Sequence, residues 1–134
     1  MDLDRSPLPL DDNSCAVVRA SHFLEHSANI SHIVGEAHRV LKPDGLLVII
    51  VPYANSAEGM YPGHAVFLTE RWFGENAHFM DRFEIVYEKY YPSKYWQQLP
   101  RPVRMAIPFG FARKFLFNAC WQMELHGKPK GKSA

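Results

Sequence analysis

Two short apolar runs on either side of an amphipathic helix limit most strongly how this chain can fold. The runs cover residues 15–20 and 46–51. The helix between them carries one apolar face, formed by Ile30, Ile33, Val34, Ala37, Val40 and Leu41. β-rich runs joined by such a helix are typical of a βαβ unit with parallel strands and a right-handed crossover. Because neither run alternates with polar residues, we expect both strands to be covered on both faces.

The carboxyl ends of these two strands indicate where a ligand would bind. In open α/β sheets, ligands bind beyond the carboxyl ends of the strands. Those ends are residues 20–22 and 52–53. We therefore expect the functional site there.

The borders of the helix carry start and stop residues. Asn29 or Ser27 can act as the N-cap. Lys42-Pro43-Asp44-Gly45 follows the helix, and we expect it to end the helix, with Gly45 in a left-handed turn.

The rest of the chain gives weaker patterns. Residues 53–68 form a loop rich in Gly, Pro, Asn and Ser, and a long loop at a strand's carboxyl end is typically functional. Thr69 is expected to cap a short helix through about Ala77. Residues 79–91 predict a strand, 92–114 short helices and turns, and 115–125 a last strand that pairs with 82–90.

Length and composition bound the class of protein. With 134 residues, residues 1–134 are expected to form one partial domain, with an extended lead-in at 1–13 and a disordered tail at 126–134. A net charge of +1 gives no reason to expect nucleic acid or an anionic membrane as a partner. Two distant cysteines, Cys15 and Cys120, favour free thiols. Without a long apolar run or a signal peptide, we expect a cytoplasmic protein with no membrane span.

The strand at 15–20 has no strand before it in the sequence. An apolar parallel strand with an open edge invites pairing with another chain. We therefore expect a homo-oligomer, or a partner chain that covers this edge.

Several short motifs occur here in the order and spacing of one known family. They are Leu8-Pro9-Leu10-Asp11-Asp12-Asn13-Ser14, Leu24-Glu25-His26 and Arg39-Val40-Leu41-Lys42-Pro43-Asp44-Gly45. Together they resemble the class I S-adenosylmethionine-dependent methyltransferases called type 11. The resemblance implies an α/β fold: a Rossmann-like methyltransferase sheet in truncated form, with a βαβ unit followed by C-terminal antiparallel strands. Residues 15–20 would be the family's fourth strand and 46–51 its fifth, with the sixth and seventh near 82–90 and 117–125.

The resemblance also implies a cofactor, S-adenosylmethionine, and residues that contact it. Asp2 or Asp4 falls where the family has an acidic residue that accepts a hydrogen bond from the adenine amino group. Leu3 falls where an apolar side chain flanks the adenine. Ala20, Ser21 and His22 fall on the segment that lines the methionine end and the methyl group.

The sequence departs from the family pattern in several places. Cys15, Ala16 and Asp44 replace the family's Phe, Asp and Gly. The Gly-x-Gly-x-Gly loop has no counterpart, since no two glycines are two residues apart. The acidic residue that holds the ribose hydroxyls is also absent. Because both groups bring the protein close to the cofactor, we expect weak or no cofactor binding by this chain alone.

Three further side chains are candidates for the reaction itself. His22 ends the first strand, and a neutral imidazole could orient a methyl acceptor or take its proton near pH 7. Tyr53 follows the second strand and His64 lies in the Gly-Pro loop. We predict that both contact the acceptor.

His22-Phe23-Leu24-Glu25-His26 also matches the H-x-x-E-H pattern of some zinc proteases. Two histidines four apart on a helix can bind zinc beside a glutamate base. Here the pattern follows a strand, and the methyltransferase motif explains Leu24-Glu25-His26, so no metal ligand is assigned. Local hydrogen bonds at the helix entrance account for Glu25 and His26.

Three functions remain open from the sequence. The first is methyl transfer from S-adenosylmethionine to a small-molecule acceptor. The second is a catalytically inactive methyltransferase fold that acts as a binding or oligomerisation module. The third is a zinc hydrolase that uses His22, Glu25 and His26.

Overall fold

The computed structural model describes residues 2–64, 68–69 and 80–132. Within them, four strands form one mixed sheet in the order β1-β2-β4-β3. The strands are β1 (Cys15–Ser21), β2 (Leu41–Pro52), β3 (Phe83–Pro92) and β4 (Cys120–Pro129). The helices are α1 (Ile30–Val40), α2 (Lys94–Gln98), α3 (Arg101–Ala106) and α4 (Phe109–Phe115), and a 3₁₀ turn spans Leu24–His26. The predicted α/β class is confirmed.

The predicted βαβ unit is present. β1 and β2 run parallel, with Val18 opposite Leu47 and Ser21 opposite Ile50. α1 begins after Asn29, whose side chain accepts a hydrogen bond from the His32 N–H at 3.3 Å, as an N-cap does. The apolar face of α1 is buried through Ile30, Val34, Ala37 and Val40.

The prediction for residues 42–45 is confirmed for the end of the helix and wrong for the left-handed turn. The helix does end at Val40, but the strand begins directly at Leu41, and Gly45 does not adopt a left-handed conformation. The pairing with β1 shifts register here, from Cys15 opposite Leu41 to Val17 opposite Leu46, so the extra residues form an irregularity within β2. An added Cβ at Gly45 would lie 2.9 Å from the Lys42 carbonyl oxygen. Close backbone approach, rather than a turn, therefore requires glycine at this position.

β1 forms an edge of the described sheet, as we expected because no strand precedes residues 15–20 in the sequence. It pairs with β2 alone among the described strands. The expectation that both of its faces are covered is wrong, since Val17 is 57% exposed. β2, which lies between β1 and β4, is buried or half-buried from residue 45 to residue 52, which is closer to the two-sided cover predicted for it.

The C-terminal strands are antiparallel. β4 lies between β2 and β3 and pairs antiparallel with both. The predicted pairing of the last strand with 82–90 is confirmed, although that strand begins at Cys120 because α4 occupies residues 109–115. The predicted short helices at 92–114 are also present. The short helix predicted after Thr69 lies outside the described residues.

β3 forms the opposite edge of the sheet. A register shift between Ile85 and Tyr87 marks a bulge. Exposed charged side chains flank it at Glu84, Glu88 and Lys89. Bulges and charges are the devices by which proteins protect an edge from further pairing.

The prediction of a disordered tail from residue 126 is wrong for residues 126–132, the part of it that the structure describes. Residues 126–129 continue β4, and Pro129 lies opposite Phe83. Beyond the strand, the Lys132 ammonium donates hydrogen bonds to the carbonyl oxygens of Arg39 and Leu41 at the end of α1. A cation is favourable at a helix C-terminus, which explains why this lysine holds the segment in place.

The N-terminal lead-in is docked on α1 rather than simply extended. The Leu8 N–H donates to Glu36 Oε2 at 2.7 Å. The Arg39 guanidinium donates to the carbonyl oxygens of Leu8 and Leu10, at 3.0 and 2.9 Å, and to Asp12 Oδ1 at 2.7 Å. Arg39 also pairs with Glu36 at 2.8 Å and lowers the pKa of Glu36 to about 2. We call Glu36 and Arg39 the N-terminal clamp.

One apolar core joins α1 to the sheet. It extends from Leu24 and Val34 through Leu47 and Ile49 to Met123 and Leu125. None of the helices in the described part of the chain is long and apolar enough to cross a membrane.

Candidate active site

The carboxyl ends of β1 and β2 meet at His22. The His22 N–H donates to the Ile50 carbonyl oxygen at 2.8 Å, which extends the strand pairing by one bond. His22 itself has a φ of 50°, a left-handed conformation that is uncommon for residues other than glycine. The chain leaves β1 through this residue and enters the 3₁₀ turn. The loops that follow both strands therefore meet at one end of the sheet, as expected for parallel strands.

A cavity of about 350 Å³ opens beside β1, between the strand, α1 and the N-terminal segment. Three of the predicted cofactor-binding residues, Leu3, Ala20 and Ser21, line it together. Most of the other lining side chains are apolar: Leu8, Val18, Phe23, Leu24, Ile33, Val34, Ala37, Leu47 and Ile49. A concave apolar surface with few polar groups is typical of a small-molecule site. Its apolar lining is of the kind that an aromatic ring such as adenine can contact.

The two aspartates predicted to bind adenine have different environments. The Asp4 carboxylate accepts hydrogen bonds from Ser27 Oγ and from the Ala28 N–H. These bonds lower the pKa of Asp4 and tie the carboxylate to the turn before α1. Asp2 is exposed, and its Oδ1 accepts a hydrogen bond from the Asp4 N–H at 3.0 Å. Neither aspartate lines the cavity.

His22 is held on two sides at the carboxyl end of β1. Its Nε2 lies 2.9 Å from Gln122 Oε1, and its ring stacks on Trp121 with centroids 6.4 Å apart. Its Nδ1 lies 3.7 Å from Glu25 Oε1. The side chain is 44% exposed, so an oriented imidazole is accessible to a bound molecule.

Glu25 is a buried carboxylate in the 3₁₀ turn. The residue is 2% exposed. Its Oε1 lies between two imidazoles, 3.7 Å from His22 Nδ1 and 3.8 Å from His26 Nε2. Its Oε2 has no hydrogen-bond partner among the described residues. The local hydrogen bonds predicted for the Glu25 carboxylate are therefore absent from the described structure.

His64 reaches the same place from the loop after β2. Its ring meets that of His26 edge-on, with centroids 4.9 Å apart. Its Nδ1 lies 3.2 Å from the Gly59 carbonyl oxygen. The structure thus brings His64 beside Glu25 and His26. His22 is their neighbour through Glu25, whose Oε1 lies 3.7 Å from His22 Nδ1. Loops that follow adjacent parallel strands converge, and this rule could have predicted the meeting of His26 with His64.

Tyr53 is not at the surface of this site. Its side chain is 2% exposed and its ring packs edge-on against Tyr90, at 6.1 Å between centroids. Its N–H donates to the Trp121 carbonyl oxygen. The Tyr53 ring therefore belongs to the core in the described structure, and its contact with a methyl acceptor stays a prediction.

The helical zinc-protease arrangement is also not formed. Leu24–His26 is a 3₁₀ turn of three residues, and His22 precedes it in a left-handed conformation. His22 and His26 therefore do not lie one helical turn apart on the same α-helix, which the H-x-x-E-H mechanism requires.

Comparison with known proteins agrees with the resemblance seen in the motifs. Residues 1–49 match the type 11 family model described as a methyltransferase domain. No curated protein matches the chain. A SAM-dependent methyltransferase from Archaeoglobus fulgidus matches at 15% identity with a TM-score of 0.66, over 89% of this chain and 61% of that one. The YcgJ protein of Bacillus subtilis matches at 15% identity with a TM-score of 0.57, over 92% and 68%.

A third match is a complex between the Haloferax volcanii Trm112 methyltransferase activator and a protein assigned as a methyltransferase. It has 19% identity and a TM-score of 0.58, over 96% of this chain and 59% of that one. At these identities the structural matches establish the fold. This chain spans about three fifths of the length of the first matched structures.

Proposed function

With residues 1–49 matching a type 11 methyltransferase domain, we propose that this chain takes part in methyl transfer from S-adenosylmethionine to a small-molecule acceptor. When bound, this cofactor supplies an electrophilic methyl group. The chain's own residues would hold the adenine end and orient the acceptor. The observation that carries the proposal is the cavity beside β1, because it gathers Leu3, Ala20 and Ser21.

The apolar lining of the cavity suits a flat aromatic ring. Leu3 comes from the N-terminal segment and Ala20 from β1, so a ring between them would touch both elements. The N-terminal clamp fixes residues 8–12 on α1 and so holds the segment that carries Leu3 close to β1. Asp2 is the more accessible of the two aspartates for the adenine amino group, since the Asp4 carboxylate is already bonded to Ser27 and Ala28.

His22 would act on the acceptor. Methyl transfer depends mainly on holding the two reactants in line. An accessible imidazole could orient an acceptor hydroxyl or amine and take its proton. Gln122 and Trp121 keep the ring in one orientation, so that little ordering remains when the acceptor binds.

Titration of the purified chain with S-adenosylhomocysteine in a calorimeter tests the proposal. Because the Gly-x-Gly-x-Gly loop is absent, we expect weak but saturable heat. We expect Ser21→Trp to weaken binding at least tenfold further, because Ser21 is exposed at the cavity and a large ring there would fill it. Val17→Trp is the matched control, since Val17 is also exposed on β1 but does not line the cavity. No heat at millimolar ligand, or equal binding by Ser21→Trp, would overturn the proposal.

The open edge of β1 favours a second candidate function, a binding module that pairs with another chain through this strand. Val17 and Ala16 are exposed there, and β1 carries a single charged side chain, Arg19. Such a strand presents unpaired backbone groups to a partner strand. A second copy of this chain is the simplest partner.

Sedimentation velocity tests this second function. We expect the sedimentation coefficient of the wild type to rise with concentration, and Val17→Lys to reduce association, because charged side chains on an edge oppose pairing. A folded wild-type monomer at all concentrations would exclude self-association through β1.

A further inference from the structure

Three potential metal ligands meet at the carboxyl end of the sheet. A carboxylate oxygen of Glu25 and one ring nitrogen each of His26 and His64 lie within 4.8 Å of one another. Glu25 and His26 belong to the 3₁₀ turn after β1, and His64 belongs to the loop after β2. The cluster therefore depends on the fold rather than on one stretch of sequence.

The unpartnered oxygen of Glu25 points independently to a missing ligand. The side chain is 3% exposed, and its Oε2 has no hydrogen-bond partner in the described parts of the chain. Buried carboxylates are normally paired, hydrogen-bonded or bound to a metal, since leaving one unpaired carries a large desolvation cost. A cation beside the carboxylate would remove that cost.

The backbone around the histidines also prepares them for a metal. His26 Nδ1 lies 3.3 Å from the Gly63 carbonyl oxygen, and His64 Nδ1 lies 3.2 Å from the Gly59 carbonyl oxygen. A carbonyl oxygen can only accept a hydrogen bond, so in the neutral imidazoles each Nδ1 carries the proton and each Nε2 lone pair is left for a metal. Metal-binding histidines typically donate their second N–H in this way.

We propose that Glu25, His26 and His64 bind one divalent transition-metal ion of the Zn²⁺ class. Two imidazoles and one carboxylate suit Zn²⁺ and its first-row neighbours, whereas Mg²⁺ and Ca²⁺ prefer oxygen ligands alone. Three protein ligands leave at least one coordination position open. Because the His26 side chain is 51% exposed, water or a ligand oxygen can reach that position.

The metal site is distinct from the cofactor cavity but close to His22. Glu25 Oε1 lies 3.7 Å from His22 Nδ1, so the metal's carboxylate ligand also faces the residue proposed to orient the acceptor. An acceptor with an oxygen donor could therefore bind the metal and His22 together. The site does not depend on S-adenosylmethionine, and its test can succeed where the cofactor titration fails.

Calorimetric titration with ZnSO₄ of protein first treated with EDTA is the direct test. We expect one equivalent of Zn²⁺ to bind, and His26→Ala to weaken binding at least tenfold. His26 is exposed, so this variant should fold. His38→Ala is the matched control, because His38 contacts the Lys130 carbonyl oxygen on another side of the molecule. Less than about a tenth of an equivalent of bound Zn²⁺, or equal loss in the control, would overturn the proposal.

Cobalt gives a readout of the ligands themselves. We expect Co²⁺ to produce visible absorption bands of a four- or five-coordinate site in the wild type, and His64→Ala to abolish or shift them. Bands that are unchanged in His64→Ala would exclude His64 as a ligand and overturn the three-residue site.

Glu25→Gln distinguishes two roles of the Glu25 carboxylate: that of a metal ligand and that of an ion-pair partner of protonated histidine. The amide keeps the shape of the side chain but removes the charge. If the carboxylate is a metal ligand, the variant binds Zn²⁺ at least tenfold more weakly, while its metal-free form is at least as resistant to urea as the wild type. A variant that unfolds more readily without metal and still binds Zn²⁺ normally would show that Glu25 serves only the ion pair.

Discussion

Substitution of Glu36 by Gln should make the stability of this protein less dependent on pH in the acid range. Glu36 is one half of the N-terminal clamp, and its carboxylate receives bonds from Arg39 at 2.8 and 3.0 Å and from the Leu8 N–H at 2.7 Å. Glutamine keeps the size and an accepting oxygen but cannot form the ion pair. The perturbation therefore isolates the charge of one side chain.

The size of the effect follows from the pKa. The guanidinium of Arg39 lowers the pKa of Glu36 to about 2, against roughly 4.3 for a glutamate in an unfolded chain. That difference corresponds to about 3 kcal/mol in the free energy of unfolding at neutral pH. Side-chain exposures of 29% for Arg39 and 14% for Glu36 allow solvent to screen the pair, so we expect about 1–2 kcal/mol.

The sign of the pH dependence is fixed by the direction of the pKa. A carboxyl group whose pKa is lower in the folded state stabilises the fold above its unfolded pKa and loses this contribution as the pH falls through its folded pKa. Urea unfolding followed by circular dichroism at several pH values measures it. We expect the free energy of unfolding of the wild type to exceed that of Glu36→Gln by a constant amount above pH 5, and most of this difference to be lost by pH 2.

Glu58→Gln serves as the control, because Glu58 is an exposed glutamate in the loop after β2. It should leave the pH dependence of unfolding unchanged. A difference between wild type and Glu36→Gln that stays constant from pH 7 to pH 2 would refute the reasoning, since it would show that the charge of Glu36 does not stabilise the fold.

Two further substitutions test the loops that surround the site. Gly59→Ala should destabilise the fold by about 2 kcal/mol or more, because an added Cβ would overlap the Tyr53 carbonyl oxygen. Gly110→Ala on α4, where the added Cβ would make an ordinary contact with the Arg113 side chain at 3.8 Å, should be neutral or slightly stabilising in the same thermal melt. Asn118→Ala should lower the free energy of unfolding by about 1–2 kcal/mol, because Asn118 has a φ of 63° and its Oδ1 accepts a hydrogen bond from the Ala57 N–H. Urea titration of Asn118→Gly separates the two causes: it should recover the conformational part, and full recovery would show that the hydrogen bond contributes nothing.

The sequence predicted the elements whose cause is local. The period of the apolar residues from Ile30 to Val40 depends on burial of one helical face, and the Asn29 N-cap depends on neighbouring residues. β1 and β2 followed from short apolar runs. The family motifs in residues 8–45 added the identity of the strands and the cavity residues Leu3, Ala20 and Ser21.

The features that the sequence did not predict depend on contacts between distant residues. Gly45 was expected in a turn, but an added Cβ there would meet the Lys42 carbonyl oxygen at 2.9 Å and the Ala16 carbonyl oxygen of the neighbouring strand at 3.1 Å. Residues 126–129 have few apolar side chains, yet pairing with β3 makes them a strand. His64 is separated from Glu25 by most of the βαβ unit, so no local pattern joins them. Tyr53 was expected at the site because of its position after β2, but the direction of its side chain is set by packing.

The two edges of the described sheet differ in how well they are protected against pairing with another strand. A bulge and charged side chains protect β3, whereas β1 has one charged residue and an exposed Val17. Two copies joined through β1 about a twofold axis would use both open strands and leave only the protected ones outside. Judged from the four described strands, growth by strand addition in such a pair would stop at two chains, because only the protected β3 edges would remain outside.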